Sequence, residues 1–266
     1  MELSNKLVII TGASRGIGRA LTMELAKCGC NLLLTALESD ELNKLQNELQ
    51  SIPVKVGVMA SDLTDQENRT KFLNWIKENE QPPDILVNNV GMGGKFARFE
   101  NIDLSNIERT VALNVSSFIQ LTHELIPILH KRPQAKIVNI SSGIARLPYP
   151  GLAVYGATKG FVSSFSESLA CELADSNIDV HCFYPGFTST HFMASSEMDM
   201  GKIPGWMIHT PESVARRIVR ALRKDYRWYY SDFGTKLLPV IGSLIPHRLK
   251  IYIFKNLFWE LPNGTK

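Results

Sequence analysis

No stretch of this sequence holds the ~18 consecutive apolar residues that a membrane-crossing helix needs. No block of Lys or Arg appears either, and a net charge of +3 is too small to suggest nucleic acid as a partner. Cysteine is scarce. Cys28, Cys30, Cys171 and Cys182 contain no Cys-x-x-C pair and no Cys/His cluster, which argues against a zinc site and leaves no metal expected. Reduced thiols in a cytoplasmic protein are the expectation. His123, His130, His181, His191, His209 and His247 show no paired spacing, and none is assigned to catalysis. The opening MELSNKLVII enters a strand at once, without the charged region, apolar core and cleavage site of a signal peptide. Repeats, low-complexity tracts and Gly/Ser linkers are also missing, so one domain over residues 1–266 is expected.

What is present is a rhythm. KLVII (6–10), NLLLT (31–35), VKVGV (54–58), ILVNN (85–89), KIVNI (136–140) and IDVHCF (178–183) are short and rich in Val, Ile and Leu, as strands buried on both faces are. Helix-length segments separate them at 16–28, 40–50, 65–79, 105–131 and 154–174. The alternation predicts an α/β fold: a single Rossmann-type doubly wound parallel sheet flanked by helices on both faces. Ligands of such sheets bind along the edge formed by the strands' C-terminal ends. The rhythm fades after Pro185. Residues 187–210 carry four methionines (Met193, Met198, Met200, Met207) and read as a mobile substrate loop, after which Thr210-Pro211-Glu212 has the signature of a capped helix start.

Between the first strand and the first helix lies TGASRGIGRA, with Gly12, Gly16 and Gly18. Glycines in that context let the backbone approach a diphosphate, which the helix N-terminus then holds. NAD-binding proteins place an acid after the second strand to take the ribose hydroxyls. Here the strand ends Thr35-Ala36-Leu37, and Glu38 reads as helix-entry surface. Arg15, within the turn, could face a 2′-phosphate. NADP(H) is therefore preferred, with NAD(H) as the alternative. Farther on, Tyr155 and Lys159 stand four apart in a helical segment, stacked on one face.

These features resemble the short-chain dehydrogenase/reductase family over residues 5–230 or so. The resemblance rests on TGASRGIG (11–18), Asp62 in SDLT, NNVG (88–91) with Val90 in place of the usual Ala, Asn114 in LNV, Ser142 in NISSG, Tyr155 and Lys159 in YGATK, and PGFTST (185–190). It implies that Tyr155 gives or takes the proton at the carbonyl oxygen. A free phenol titrates at ~10, so the Lys159 ammonium, with oxidised nicotinamide adding to it, would have to lower it by an amount worth about 4 kcal/mol. Ser142 would hydrogen-bond the substrate oxygen, and Asn114 would hold a water linking Lys159 to solvent. The cofactor contacts implied are Gly12, Ser14, Arg15, Gly16, Ile17, Gly18, Thr35, Asp62, Leu63, Asn89, Val90, Gly91, Asn114, Tyr155, Lys159, Pro185, Gly186, Thr188 and Thr190. Simpler roles stand beside these: Asp62 as a helix cap, Asn88 as a strand organiser, Asn114 as a partner of backbone, Ser141 and Ser142 as loop caps, and Pro185-Gly186 as a turn. Leu37 occupies the place of a second phosphate-binding arginine in many such enzymes.

The pocket would be lined by Met92, Phe96, Leu147, Tyr149, Phe187, Phe192 and Met193, an apolar set that suits a hydrophobic ketone or aldehyde. The expected activity is hydride transfer between NADP(H) and such a carbonyl, lipid-like or sterol-like. A 3-oxoacyl-carrier-protein reductase is one alternative, although Cys171 stands where those enzymes often carry a basic residue. A non-catalytic dinucleotide-sensing or scaffold protein is another. The resemblance implies a homodimer or homotetramer through the 154–174 helix, with Phe161, Phe165 and Leu169 either at that interface or buried within the chain. The apolar and basic extension at 236–266 would pack on a neighbouring subunit, close the pocket, or touch a membrane surface through residues 236–259.

Overall fold

The computed structural model describes residues 1–190, 205 and 208–258. The expected strands form β1 (Leu7–Thr11), β2 (Asn31–Ala36), β3 (Val56–Ala60), β4 (Ile85–Asn88), β5 (Ala135–Ile140) and β6 (Ile178–Tyr184). A seventh strand, β7 (Trp228–Tyr230), had no signal in the sequence, being only three residues long. All seven pair in parallel in the order β3-β2-β1-β4-β5-β6-β7. The chain leaves β1 in one direction and returns to its other side at β4. That reversal opens a crevice at the C-terminal ends of β1 and β4, the usual ligand position of such sheets.

The helices are α1 (Gly16–Lys27), α2 (Ser39–Leu49), α3 (Gln66–Lys77), α4 (Leu104–Val111), α5 (Phe118–Leu129), α6 (Ala153–Glu172), α7 (Pro211–Arg223), α8 (Phe233–Leu244) and α9 (His247–Phe258). Two apolar layers cover the sheet. One packs α1, α2 and α7 on β1 and β2 through Leu21, Leu25, Leu42, Ile218 and Leu222. The other packs α3 and α5 on the opposite face through Phe72, Ile76, Leu121 and Leu125. The predicted start of α7 is observed: Thr210 accepts the Ser213 N–H and Pro211 fills the first turn. The predicted 105–131 helix is continuous from α4 to α5 but interrupted by a π-helical stretch at Ala112–Ser117, which contains Asn114.

Charge is buried at the sheet edge away from the crevice. Asp84, fully buried, accepts the Leu7 N–H at 2.9 Å and pairs with Lys6 and Arg132, tying β1 and β4 to the approach of β5. Beside it Lys136, also fully buried, bonds Asp225 and lies 3.0 Å from His181 Nε2. Asp179, His181 and Asp225 have the separation of metal ligands, but the Lys136 ammonium already supplies their cation. Burial, with the Lys136 charge, brings His181 down to about 4, so the ring stays neutral at physiological pH.

Candidate active site

The glycine turn is built for close approach. Gly12 and Gly16 have φ of +67° and +55°. A Cβ on Gly18 would lie 2.1 Å from the Gly12 carbonyl, and one on Gly12 would lie 2.9 Å from Val90 Cα. Asn89 braces the turn, its side-chain amide donating to the Thr11 and Gly12 carbonyls, while the Asn89 and Val90 N–H groups share the Thr11 hydroxyl. The α1 N-terminus carries no side-chain cap and no acid in its first turn. Its N–H groups are therefore available to an anion, so the turn fits a dinucleotide diphosphate. Thr190 reaches the same place, with Cγ2 3.1 Å from where a Gly16 Cβ would stand.

The adenosine side differs in detail from expectation. Thr35 is fully buried; it supports the turn through its carbonyl, which accepts the Ala13 N–H at 3.0 Å, and offers no side-chain surface to a ligand. Leu63, 2% exposed, accepts Arg69 Nη1 on its carbonyl at 2.7 Å. Asp62 is accessible, and its Oδ1 accepts from the Thr64 hydroxyl and N–H. Burial works to raise this carboxyl, but the Thr64 bonds and the charges of Arg109 and Arg69 outweigh it and hold it below the ordinary range. The cap of α3 is Asp65 rather than Asp62. Arg15 is half exposed and faces Glu38 across 3.7 Å, an ion pair at the β2 end of the crevice that sequence reasoning missed.

At the crevice floor α6 brings the catalytic candidates together. Tyr155 is 9% exposed and Lys159 5%. The Lys159 ammonium donates to the Ile140 carbonyl at 2.9 Å and lies 5.9 Å from the Tyr155 ring centroid. The Tyr155 hydroxyl hydrogen-bonds Ser142. Ser141, by contrast, is turned inward to the Lys159 carbonyl and the Ser163 hydroxyl. Asn114 Nδ2 donates to the Met92 carbonyl and the Thr158 hydroxyl, and its Oδ1 accepts the Met92 N–H. Its two N–H donors and one lone pair of Oδ1 thus anchor the segment after β4, the backbone-pairing role foreseen as the simpler one, and a second lone pair of Oδ1 stays unused. Gly91 fits between: a Cβ there would sit 3.2 Å from Asn114 Oδ1 and 3.4 Å from Lys159 Nζ. Asn88 bridges Thr122 and Asn139, the organiser role foreseen as the simpler one.

Electrostatics reverse one expectation. Burial pushes the Tyr155 phenol up to about 12, against the lowering effect of the Ser142 hydrogen bond. Burial also brings Lys159 down to about 8. The chain's own groups therefore keep the phenol protonated near neutrality rather than ionising it.

Above this floor Phe96, Leu152 and Tyr155 form an apolar cluster with Ile144 and Tyr149. The Tyr149 and Phe187 rings meet edge-on at 6.4 Å. Leu147 lies against α8 at Gly242. Phe192, Met193 and most of the expected 187–210 loop lie outside the described residues. A polar hub underlies the same wall. Asp232 accepts the hydroxyls of Ser231 and Thr235, at 2.7 and 2.6 Å, and pairs with His209 at 3.2 Å. Ser231 in turn accepts the Gly186 N–H at 2.7 Å, and the Thr188 hydroxyl donates to the Gly186 carbonyl. Pro185 accepts the Gly143 N–H, next to Ser142. Asp232, Ser231 and His209 carried no pattern that linear reading could find, because they meet only through β7.

A glycine-lined turn at the reversal of a parallel sheet, sharing its edge with the half-buried Ser142 and the buried Tyr155 and Lys159, defines a dinucleotide-dependent oxidoreductase. The profile described as short chain dehydrogenase matches residues 6–201, and the chain belongs to that family. It is 32% identical over 97% of its length to the human very-long-chain 3-oxoacyl-CoA reductase, covering 80% of that protein. It is 34% identical to the glycine betaine reductase ATRR of Emericella nidulans over 84% of its length, but spans only 18% of that longer protein. Among solved structures, the short-chain dehydrogenase from Sphingobium yanoikuyae in complex with NADPH superposes with a TM-score of 0.81 at 25% identity, covering 98% of each chain.

Removing the hub should loosen the wall without touching Tyr155. Asp232→Ala deletes the N-cap of α8, worth about 1 kcal/mol, and frees Ser231 from its partner. The expected result is a lower melting temperature and a several-fold higher KM for the carbonyl with a smaller fall in kcat, with Asp232→Asn intermediate. Steady-state kinetics alongside thermal melts check it.

Proposed function

We propose that the chain is an NADP(H)-dependent carbonyl reductase interconverting a hydrophobic ketone or aldehyde with its alcohol. The observation that carries this reading is the Ser142–Tyr155 hydrogen bond on a buried floor beside Lys159 and Gly91. When bound, the dinucleotide supplies a hydride to the carbonyl carbon or accepts one from the alcohol. The chain does the rest. Gly12, Ser14, Gly16, Ile17 and Gly18 hold the diphosphate at the α1 N-terminus. Asp62, Asn89, Val90, Gly91 and the Pro185–Thr190 segment frame the remainder. Ser142 and Tyr155 hold the substrate oxygen, and Tyr155, already protonated, hands its proton to that oxygen as charge develops. Lys159 then stabilises the phenolate and is itself close enough to neutrality, at about 8, to pass a proton on.

A lipid-like substrate is supported by the aromatic and aliphatic wall and by resemblance to a reductase of very-long-chain acyl thioesters. The carrier-protein alternative is supported by resemblance to the 3-oxoacyl-carrier-protein reductase of Thermotoga maritima, 28% identical over 92% of this chain, but charge speaks against it. Arg132, one of the cations available to an acidic carrier, is committed to Asp84, and Cys171 is exposed without adding charge. A scaffold would have no use for the assembled Ser142, Tyr155 and Lys159. Free thiols at all four cysteines suit a reducing compartment such as the cytoplasm. An apolar groove lined by Phe99, Ile107, Val111, Val115, Ala157 and Phe161 suits pairing with a second copy as a homodimer or homotetramer. Leu169 is instead buried in the core, where Phe165 also packs, so only the Phe161 end of the expected face is available.

NADPH oxidation across steroids, acyl thioesters, quinones and aldehydes tests the assignment. Tyr155→Phe should cut turnover at least ~100-fold with little change in NADPH affinity; full turnover would contradict the role of Tyr155. For the cofactor, Arg15→Ala should raise KM for NADPH about tenfold and narrow the preference over NADH, by loss of a charge-assisted phosphate contact. Glu38→Gln should do the reverse, by releasing Arg15 from its ion pair. Paired kinetics with both cofactors decide.

A further inference from the structure

The apolar surface of this protein is unevenly placed. Of twelve large apolar side chains exposed among the described residues, seven lie in α8 and α9: Leu237, Val240, Ile241, Leu244, Leu249, Ile251 and Tyr252. Leu244 is 81% exposed and Tyr252 66%. On α8, Leu237, Ile241 and Leu244 recur at helical spacing and form one outward stripe. On α9, Leu249 and Tyr252 share a sector bordered by Arg248 and Lys250 at 100° per residue, while Ile251 lies on the opposite side of the helix. Residues 233–258 hold Lys236, Arg248, Lys250 and Lys255 and no Asp or Glu. Those four charges exceed the net +3 of the entire chain, so the remaining surface is close to neutral.

Charge decides among the occupants. A second copy seated face to face on this patch would set cation against cation, which opposes a two-fold contact. Among the described residues, nothing covers the outward stripe, as its exposure shows. Aliphatic side chains flanked by Lys and Arg, with a tyrosine among them, have the composition of helices that lie in the boundary of an anionic bilayer. We infer that α8 and α9 dock this protein on membranes that carry anionic phospholipid.

The inner side of α8 gives the docking a purpose. Thr235 lies beside Gly143, the residue after Ser142, where a Cβ would meet its Cγ2 at 2.8 Å. Leu147 stands 3.2 Å from a Cβ built on Gly242. The helix that meets lipid on its outer face therefore forms part of the substrate wall on its inner face. An apolar carbonyl dissolved in the bilayer would be presented to the crevice without crossing water. This purpose rests on the carbonyl-reductase reading; the docking itself does not.

Sedimentation of the full chain with vesicles of phosphatidylcholine alone, or of phosphatidylcholine with phosphatidylglycerol in equal parts, tests the inference. The expected result is at least tenfold tighter binding to the anionic vesicles, weakening as salt is raised. Leu244→Asp with Tyr252→Asp should abolish it. Arg248→Glu with Lys250→Glu should remove the anionic preference, at about fivefold per charge. Failure of the wild type to bind either vesicle, or equal binding by wild type and the Leu244/Tyr252 variant, overturns it. So does light scattering that shows a dimer dissociated by that variant, since the patch would then belong to a second copy. Turnover separates the two readings: the variant should keep wild-type NADPH oxidation with a water-soluble short aldehyde and lose it with a vesicle-borne long-chain ketone. A protein that sediments but reduces no carbonyl contradicts the reductase reading and leaves the docking supported.

Discussion

The burial of one ammonium group organises this site. Lys159 sits in the floor of the crevice with a single backbone acceptor in evidence, the Ile140 carbonyl at the end of β5. Removing an ammonium from water is costly, and burial answers by bringing the group down to about 8. The same burial protects the Tyr155 proton. A charged lysine that can lose its proton and a phenol that keeps its own are a matched pair for moving one proton to a carbonyl oxygen. Both follow from placing two residues one helical turn apart on the inner face of α6.

Other features serve to keep that pair in place. The π-helical stretch between α4 and α5 aims Asn114 at Met92 and Thr158, which fastens the segment after β4 to α6. Short π insertions tend to occur where a helix carries function, because one extra residue re-aims a side chain. On the far wall the Asp232 hub joins the segment after β6 to the start of α8 through Ser231 and Gly186. The crevice is thus closed by two polar clamps, one on each side of the Ser142–Tyr155 contact. Glycine is needed where these parts crowd together: Gly12 and Gly18 leave no room for a Cβ, and Gly91 leaves a tight fit.

Elements with a strong period were legible in the sequence. Six strands and the major helices fell close to their observed bounds because each buries a continuous apolar run or a helical stripe, apart from the half-buried edge strand β3. The turn at Gly12–Gly18 and the Tyr155/Lys159 spacing were legible for the same reason, since each is a local arrangement along the chain. Ser142 was separable from Ser141 only through the family resemblance; the structure supplies the physical cause, as successive residues at a strand end face opposite ways. Contacts between distant segments left no trace. The Arg15–Glu38 pair, the hub at Asp232 and the edge strand β7 depend on where the fold brings 15 next to 38 and 186 next to 231. The sign of the Tyr155 shift also escaped a linear reading. Proximity of Lys159 suggested an acidified phenol, whereas the depth of burial sets the outcome.

The central claim is therefore about a proton: the protein alone holds Tyr155 as a neutral phenol, and charge brought by a ligand is needed to lower it. Ultraviolet absorbance of the phenolate, taken as the difference between wild type and Tyr155→Phe across an alkaline titration, reads this directly. Without dinucleotide, the Tyr155 signal should be absent through neutrality and rise only toward about 12; with oxidised dinucleotide it should emerge at distinctly lower pH. A phenolate already present near neutrality without dinucleotide, or a titration unmoved by its addition, would contradict the account.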